Sequence, residues 1–222
     1  MLVLNNISKG FGVNRKVLED VSIELNHGMV AIVSGRNGSG KTTMTRIIAG
    51  VYLADTGDIF FNGRKIVMTS PADKRYMMQE TGFAFSDEKS FYGHLTAEEN
   101  IDFFRSIYGK EKNPLYFKAL SILGMEKFMA SRFDSLSKGT KQKLCFLRAL
   151  PGRPSLLVID ELDAMDDSSL EGADEILSGF VNEGGAVLKF TSKNPDKGAA
   201  RRKFPSVNFF ALEGGRLSHI DL

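Results

Sequence analysis

Val30-Ala31-Ile32-Val33-Ser34-Gly35-Arg36-Asn37-Gly38-Ser39-Gly40-Lys41-Thr42-Thr43 is the stretch on which the fold turns. Its first four residues are uninterruptedly apolar, the pattern of a strand buried on both faces of a parallel sheet. Beyond Ser34 the residues fit G-x-x-x-x-G-K-T, and Met44, Ile47 and Ile48 then follow at helical spacing. Strand, glycine-rich loop and helix in that order predict a cradle for phosphates. Gly35, Gly38 and Gly40 let the backbone come close enough for successive N–H groups to face phosphate oxygens, and the helix adds the positive end of its dipole. On this reading residues 35–43, with Asn37, Ser39 and Thr43 among them, enclose MgATP. Lys41 reaches the β- and γ-phosphates and the Thr42 hydroxyl ligates Mg²⁺.

A second chemical signal is Leu156-Leu157-Val158-Ile159-Asp160-Glu161, an apolar strand ending in two carboxylates. Ligands of open α/β sheets bind at such strand ends. Asp160 is expected to hold the metal as a hard oxygen ligand, directly or through water. Glu161 is expected to orient or deprotonate the water that attacks the γ-phosphate.

The rest of the chain frames these two sites. The first third alternates apolar and polar residues, as in Val21-Ser22-Ile23-Glu24-Leu25, with turn signals at His27-Gly28 and Asn62-Gly63, and predicts antiparallel strands. Residues 96–133 instead carry helical signals: Thr96 and Glu99 spell a capping box, and Ile101, Phe104 and Ile107 follow at helical spacing. The last third returns to buried-strand runs at 156–159 and 187–190 and closes on a hairpin turn at Glu213-Gly214-Gly215-Arg216. The expected class is therefore α/β: a P-loop NTPase core of mixed or parallel sheet, an antiparallel β subdomain and an inserted helical subdomain at about 88–138. All of it is expected within one domain, 1–222.

Composition narrows the function classes. At 42% hydrophobic and 25% charged residues the chain reads as a globular protein, and its longest apolar runs are far shorter than the roughly 18 residues of a membrane-spanning helix. The N-terminal Met1-Leu2-Val3-Leu4-Asn5-Asn6 carries no basic stretch or long apolar segment, so no secretory signal is expected. Cys145 is the single cysteine, which excludes an internal disulfide and fits a reducing compartment. A net charge of +2 without a dense basic stripe argues against nucleic acid as partner. Arg201-Arg202-Lys203, the one tight basic cluster, reads as a solvated loop.

Between the two chemical signals lies Leu136-Ser137-Lys138-Gly139-Thr140-Lys141-Gln142-Lys143, running into a helical segment. It resembles the Leu-Ser-Gly-Gly-Gln signature of the ABC ATPase family, with Lys138 in place of the first glycine and Thr140 in place of the glutamine. Ser137 keeps a hydroxyl, Gly139 an unobstructed N–H and the helix its N-terminus. The resemblance implies a head-to-tail pair of ATPase subunits, a homodimer by default, in which Ser137 and Gly139 of one copy cap the γ-phosphate held by the other. It also implies a membrane permease on a separate chain, and hence a cytoplasmic protein peripheral to the inner face of the cell membrane. Phe11 falls where the family places an aromatic against adenine.

Three departures bear on turnover. The family's Gln after the strand entering the helical subdomain is absent from Gly82-Phe83-Ala84-Phe85-Ser86-Asp87, leaving Ser86 in its place as a water or metal contact, with Asp87 as the alternative; Gln79 precedes the strand. The family's late His has no counterpart, since the histidines are His27, His94 and His219, and Lys193 takes that position as a γ-phosphate contact. Leu162-Asp163-Ala164-Met165-Asp166 lacks one residue and a proline, which makes Asp166, or else Asp167, the equivalent of the family's aspartate. The expected activity is slow hydrolysis of MgATP powering transport, with export suggested by the form of residues 136–143. The alternatives are an ATP-driven dimerisation switch unconnected with transport, and a binding-only half of a heterodimer.

Overall fold

The computed structural model describes residues 1–12, 16–85, 90–162 and 164–220. Two sheets organise the chain. The larger has the order β10-β9-β3-β8-β7-β6, built from β3 (Val30–Ser34), β6 (Thr81–Phe85), β7 (Leu156–Asp160), β8 (Ala186–Thr191), β9 (Val207–Glu213) and β10 (Arg216–His219). Its strands run parallel except for β10, which returns antiparallel along the edge. The smaller sheet, β2-β1-β4-β5, is antiparallel throughout and consists of β1 (Leu2–Gly10), β2 (Lys16–Leu25), β4 (Thr56–Phe61) and β5 (Arg64–Ile66).

The unbroken apolar run of β3 follows from its position. Successive side chains of a strand point to opposite faces, and both faces of this sheet are covered. Ala31 and Val33 join a core shared with Leu2 and Leu4 of β1 and with Met44 and Ile47 of α1 (Lys41–Ile48). Val30 and Ile32 join the opposite core, shared with Leu144 of α5 (Lys138–Arg148) and Ile176 of α6 (Asp167–Asn182). By contrast β2 has one face packed: Val21, Ile23 and Leu25 are buried while Ser22 and Glu24 are exposed. Its alternating sequence states this directly. The hairpin turns also sit where their residues place them. Asn62 and Gly63 take φ of 50° and 76° between β4 and β5, and Gly214 and Gly215 take 55° and 80° between β9 and β10. Both are two-residue loops of the mirror-image kind that matches strand twist.

The helical middle comprises α3 (Ala97–Ile107) and α4 (Pro114–Ile122), after α2 (Pro71–Glu80) and β6. Thr96 and Glu99 form the reciprocal capping box that the sequence spells out. The apolar stripe of α3 ends a turn early, for Ile101 is fully buried while Ile107 remains 47% exposed. The basic cluster at 201–203 is exposed as expected but helical, forming the last turn of α7 (Lys197–Lys203). Asp196 caps that helix by accepting from Ala199 N–H, and three cations at its C-terminus complement the dipole. A loop reading missed it because the helix is short and has no fully buried side chain to give it a period.

Strand order places the phosphate loop. The chain leaves β3, crosses to the far edge at β6, returns through β7 and β8, and finally passes to the other side of β3 as β9. The C-terminal end of β3 is thus a switch point, where neighbouring connections part and leave a crevice.

Candidate active site

The loop from β3 into α1 needs its glycines for space as well as conformation. A Cβ on Gly35 would stand 2.6 Å from both Leu212 O and Ser39 Oγ. One on Gly40, whose φ is 111°, would meet Leu18 Cδ2 at 2.7 Å. Among the described α-helices α1 alone has no side-chain cap. Ser70, Thr96, Asn113, Ser137, Asp166 and Asp196 cap the others, whereas Gly40 leaves the first-turn N–H groups of α1 to a ligand. In front of that helix end lies a cavity of about 510 Å³, bounded by the loop, by Glu161 and, at its far side, by Phe11 and Tyr52.

Charge is concentrated at the inner end. Lys41 is 5% exposed, and its ammonium donates to Gly35 O at 2.7 Å and pairs with Glu161 Oε1 at 3.1 Å. Glu161 sits at the C-terminal end of β7 with φ of 41°, a left-handed conformation that costs a non-glycine residue about 1–3 kcal/mol and is retained where something over-determines it. Beside it Asp160 is buried, and burial first, then the Glu161 charge, push its carboxyl up to about 6 despite a hydrogen bond from Thr42. Asp160 Oδ1 and Ser39 Oγ are buried with no hydrogen-bond partner. Buried polar atoms of folded chains are normally paired, so two orphans at one site mark where a ligand completes it.

A divalent cation fits these donors. Thr42 and Asp160 supply two hard oxygens, and an ion there would neutralise the carboxylate that burial now penalises. Among the described residues no group of three His, Cys, Asp or Glu stands together as a metal cage. The donor set therefore suits a cation that takes the rest of its shell from water and nucleotide phosphates, as Mg²⁺ does.

The outer end is aromatic. Phe11, just beyond β1, is 39% exposed and meets Tyr52 edge to face at 5.3 Å between ring centroids. Tyr52 is held in turn by Arg46 of α1, which donates to its hydroxyl at 2.9 Å and lies over its ring. Sequence reasoning named Phe11 and missed both Arg46 and Tyr52. Their signal was faint: one polar residue inside a helix, and one aromatic in the turn after it.

Not every expected residue converges here. Phe11, Asn37, Gly38, Gly40, Lys41, Thr42, Thr43 and Glu161 line the cavity, whereas Gly35, Ser39, Asp160, Ser137, Gly139 and Lys193 are not among its lining residues. Ser137 caps α5, accepting from Thr140 N–H at 3.2 Å, and shares a 2.8 Å hydroxyl contact with Thr140. The departure at position 140 thus supplies the group that fixes the Ser137 rotamer. Lys193 follows β8, its own N–H donating to Thr191 Oγ1. Ser86 and Asp87 lie outside the described residues, as does Asp163. Asp166 caps α6, and hydrogen bonds from Ser168 and Ser169 hold its carboxyl well below the usual carboxylate range.

Residues 18–164 match the protein family described as ABC transporter. The chain is similar to the ABC transporter ATP-binding protein NatA of Bacillus subtilis, at 33% identity over 72% of this chain and 66% of that protein. It is also similar to a sulfate/thiosulfate import ATP-binding protein, CysA, of Halalkalibacterium halodurans, at 32% over 72% and 45%. The match to the energy-coupling factor transporter ATP-binding protein EcfA1 of Thermotoga maritima is 30% over 86% and 72%. This chain therefore spans between about half and two thirds of the first relatives. Among solved structures, an ATP-binding subunit of an ABC transporter superposes with a TM-score of 0.80 at 26% identity, covering all of this chain and 90% of that one. The dimeric cassette MJ0796 shares the fold with a TM-score of 0.82 at 22% identity, covering all of both chains.

Proposed function

Because the chain belongs to the ABC transporter ATP-binding family, we propose that it binds MgATP in the cavity before α1 and hydrolyses it as one half of a head-to-tail pair that drives a separate membrane permease. The observation that carries the reading is the N-terminus of α1, uncapped by any side chain and opening on Lys41, together with the orphaned Ser39 Oγ and Asp160 Oδ1. That combination asks for a polyanion accompanied by a metal. The base stacks at Phe11 and Tyr52, the phosphates lie along residues 35–43, and Lys41 exchanges Glu161 for the γ-phosphate. Glu161, released from that ion pair, is then placed to take the proton of the attacking water. Mg²⁺ held by Thr42 and Asp160 would neutralise charge on the phosphates.

Ser137 and Gly139 stand away from the cavity of their own chain, which fits a role against the nucleotide of a second copy. No helix of the described residues is long and apolar enough to cross a membrane; by likeness to the transporter ATP-binding proteins it matches, the transport path is assigned to a permease on another chain, with this one docked on its cytoplasmic side. Import appears in the names of several relatives, and we propose transport without assigning its direction. Export rests on residues 136–143 alone. With Lys193 and Ser86 in the places of His and Gln, turnover is expected below the roughly 10 s⁻¹ typical of enzymes.

Steady-state hydrolysis and nucleotide titration test the assignment. Lys41→Ala should weaken MgATP binding on the order of 100-fold, because a buried phosphate charge loses its cation. Glu161→Gln should bind MgATP as wild type does and turn it over at least ~100-fold more slowly. Unchanged binding by Lys41→Ala would remove the phosphate assignment, and an unchanged rate in Glu161→Gln would remove the base.

A further inference from the structure

Asp55, in the turn between α1 and β4, does not line the cavity, yet it grips the strand that leads to Phe11 at each of its last residues. Its N–H donates to Ser8 O at 2.9 Å. One carboxylate oxygen accepts from the Lys9 ammonium at 2.6 Å and the other from Gly10 N–H at 2.7 Å. Gly10 ends β1, so Phe11 follows directly on this clamp. The Lys9 hydrogen bond first, then that of Gly10, hold the Asp55 carboxyl below its ordinary value, and the clamp is therefore charged at neutral pH.

The clamp bears on both aromatic walls of the outer end. Lys9, fixed by Asp55, sets its ammonium over the Phe11 ring at 5.5 Å from the centroid. Tyr52 precedes Asp55 on the same turn and meets Phe11 with the two rings 70° apart. The Asp55 side chain itself is half exposed, and an ion pair so open adds little to the stability of a fold. It fixes the orientation of a ring instead. A surface oriented before its ligand arrives spares binding the cost of ordering it. We infer that Asp55 is a positioning residue for the base of the nucleotide: by holding Lys9 and Gly10 it sets Phe11 against Tyr52 and leaves the rest of the Phe11 ring open to the base. The inference rests on the reading of the cavity as a nucleotide site.

The test separates base from phosphates and orientation from stability. For the full chain, kcat, KM for ATP, thermal melting and inhibition by magnesium tripolyphosphate, which has no base, are measured in wild type, Asp55→Ala, Phe11→Ala and the double variant. Asp55→Ala should raise KM about two- to tenfold, the worth of one aromatic contact, with kcat, tripolyphosphate inhibition and melting unchanged. Added to Phe11→Ala, it should change KM no further, because it acts through that ring. An unchanged KM in Asp55→Ala would overturn the inference. So would a loss shared by tripolyphosphate inhibition and melting, which marks a structural role only, or a loss that simply adds to that of Phe11→Ala. Wild-type hydrolysis that tripolyphosphate fails to inhibit would instead bring down the underlying reading of the cavity, and the positioning role with it.

Discussion

At the scale of single residues the site stores a conflict that a bound cation would relieve. Asp160 is buried beside Glu161 with its carboxyl raised to about 6, so its charged form destabilises the free protein. The sign follows from linkage. Below the unfolded carboxylate value near 3.8 the group is neutral in both states and costs nothing, and the penalty grows as pH rises through about 6. Asp160→Asn should therefore raise the stability of the free protein at pH 8 by about 1–3 kcal/mol, and should abolish the Mg²⁺-dependent part of the stabilisation that MgATP gives wild type. Thermal melts with and without MgATP would show the two effects with opposite sign. Tyr52→Ala should weaken ATP binding about two- to tenfold, the worth of one aromatic contact, while leaving phosphate competition unchanged. Lys41, Thr42, Asp160 and Glu161 were legible in the sequence because backbone geometry forces them to be contiguous with a loop or a strand end. Arg46 and Tyr52 were not, because each reaches across to another segment, and the sequence records no distance between segments.

At the scale of elements, legibility followed the number of covered faces. Strand β3, packed on both sides, and β2, packed on one, announce their environments by their patterns. The α7 helix, with no fully buried side chain, announces nothing. Close approaches of backbone are equally silent. Gly82 in β6 reads as an ordinary strand residue, yet a Cβ there would run into Ala149 O at the end of α5. Gly82→Ala should destabilise the fold by about 3 kcal/mol or more, read by denaturant titration. The contact between α6 and its neighbours is electrostatic at one point. Burial pushes the Asp174 carboxyl up, but Lys189 at 3.0 Å and Lys203 at 2.8 Å outweigh it and hold the group low. This stabilisation is fully present above the unfolded value of 3.8 and is lost as pH falls through the lower folded value. Asp174→Asn should thus cost about 1–3 kcal/mol at pH 7, a gap that closes in titrations carried below pH 3.8.

At the scale of the whole molecule, the proposed function divides the chain into two half-sites that would face different nucleotides. The loop at 35–43 with Glu161 forms one, and Ser137 with Gly139 forms the other, away from the first chain's cavity. The resemblance to the family implied a pair of copies, and Ser137 and Gly139 are not among the residues lining the cavity of their own chain. Nucleotide should therefore act as the adhesive between copies, in proportion to its occupancy. The most direct test is sedimentation of Glu161→Gln, in which bound ATP persists, at saturating MgATP. The account predicts a particle of two chains holding two ATP molecules, which reverts to single chains when Ser137→Arg blocks the α5 end while each chain still binds ATP. A protein that stays monomeric when fully loaded with MgATP would contradict it.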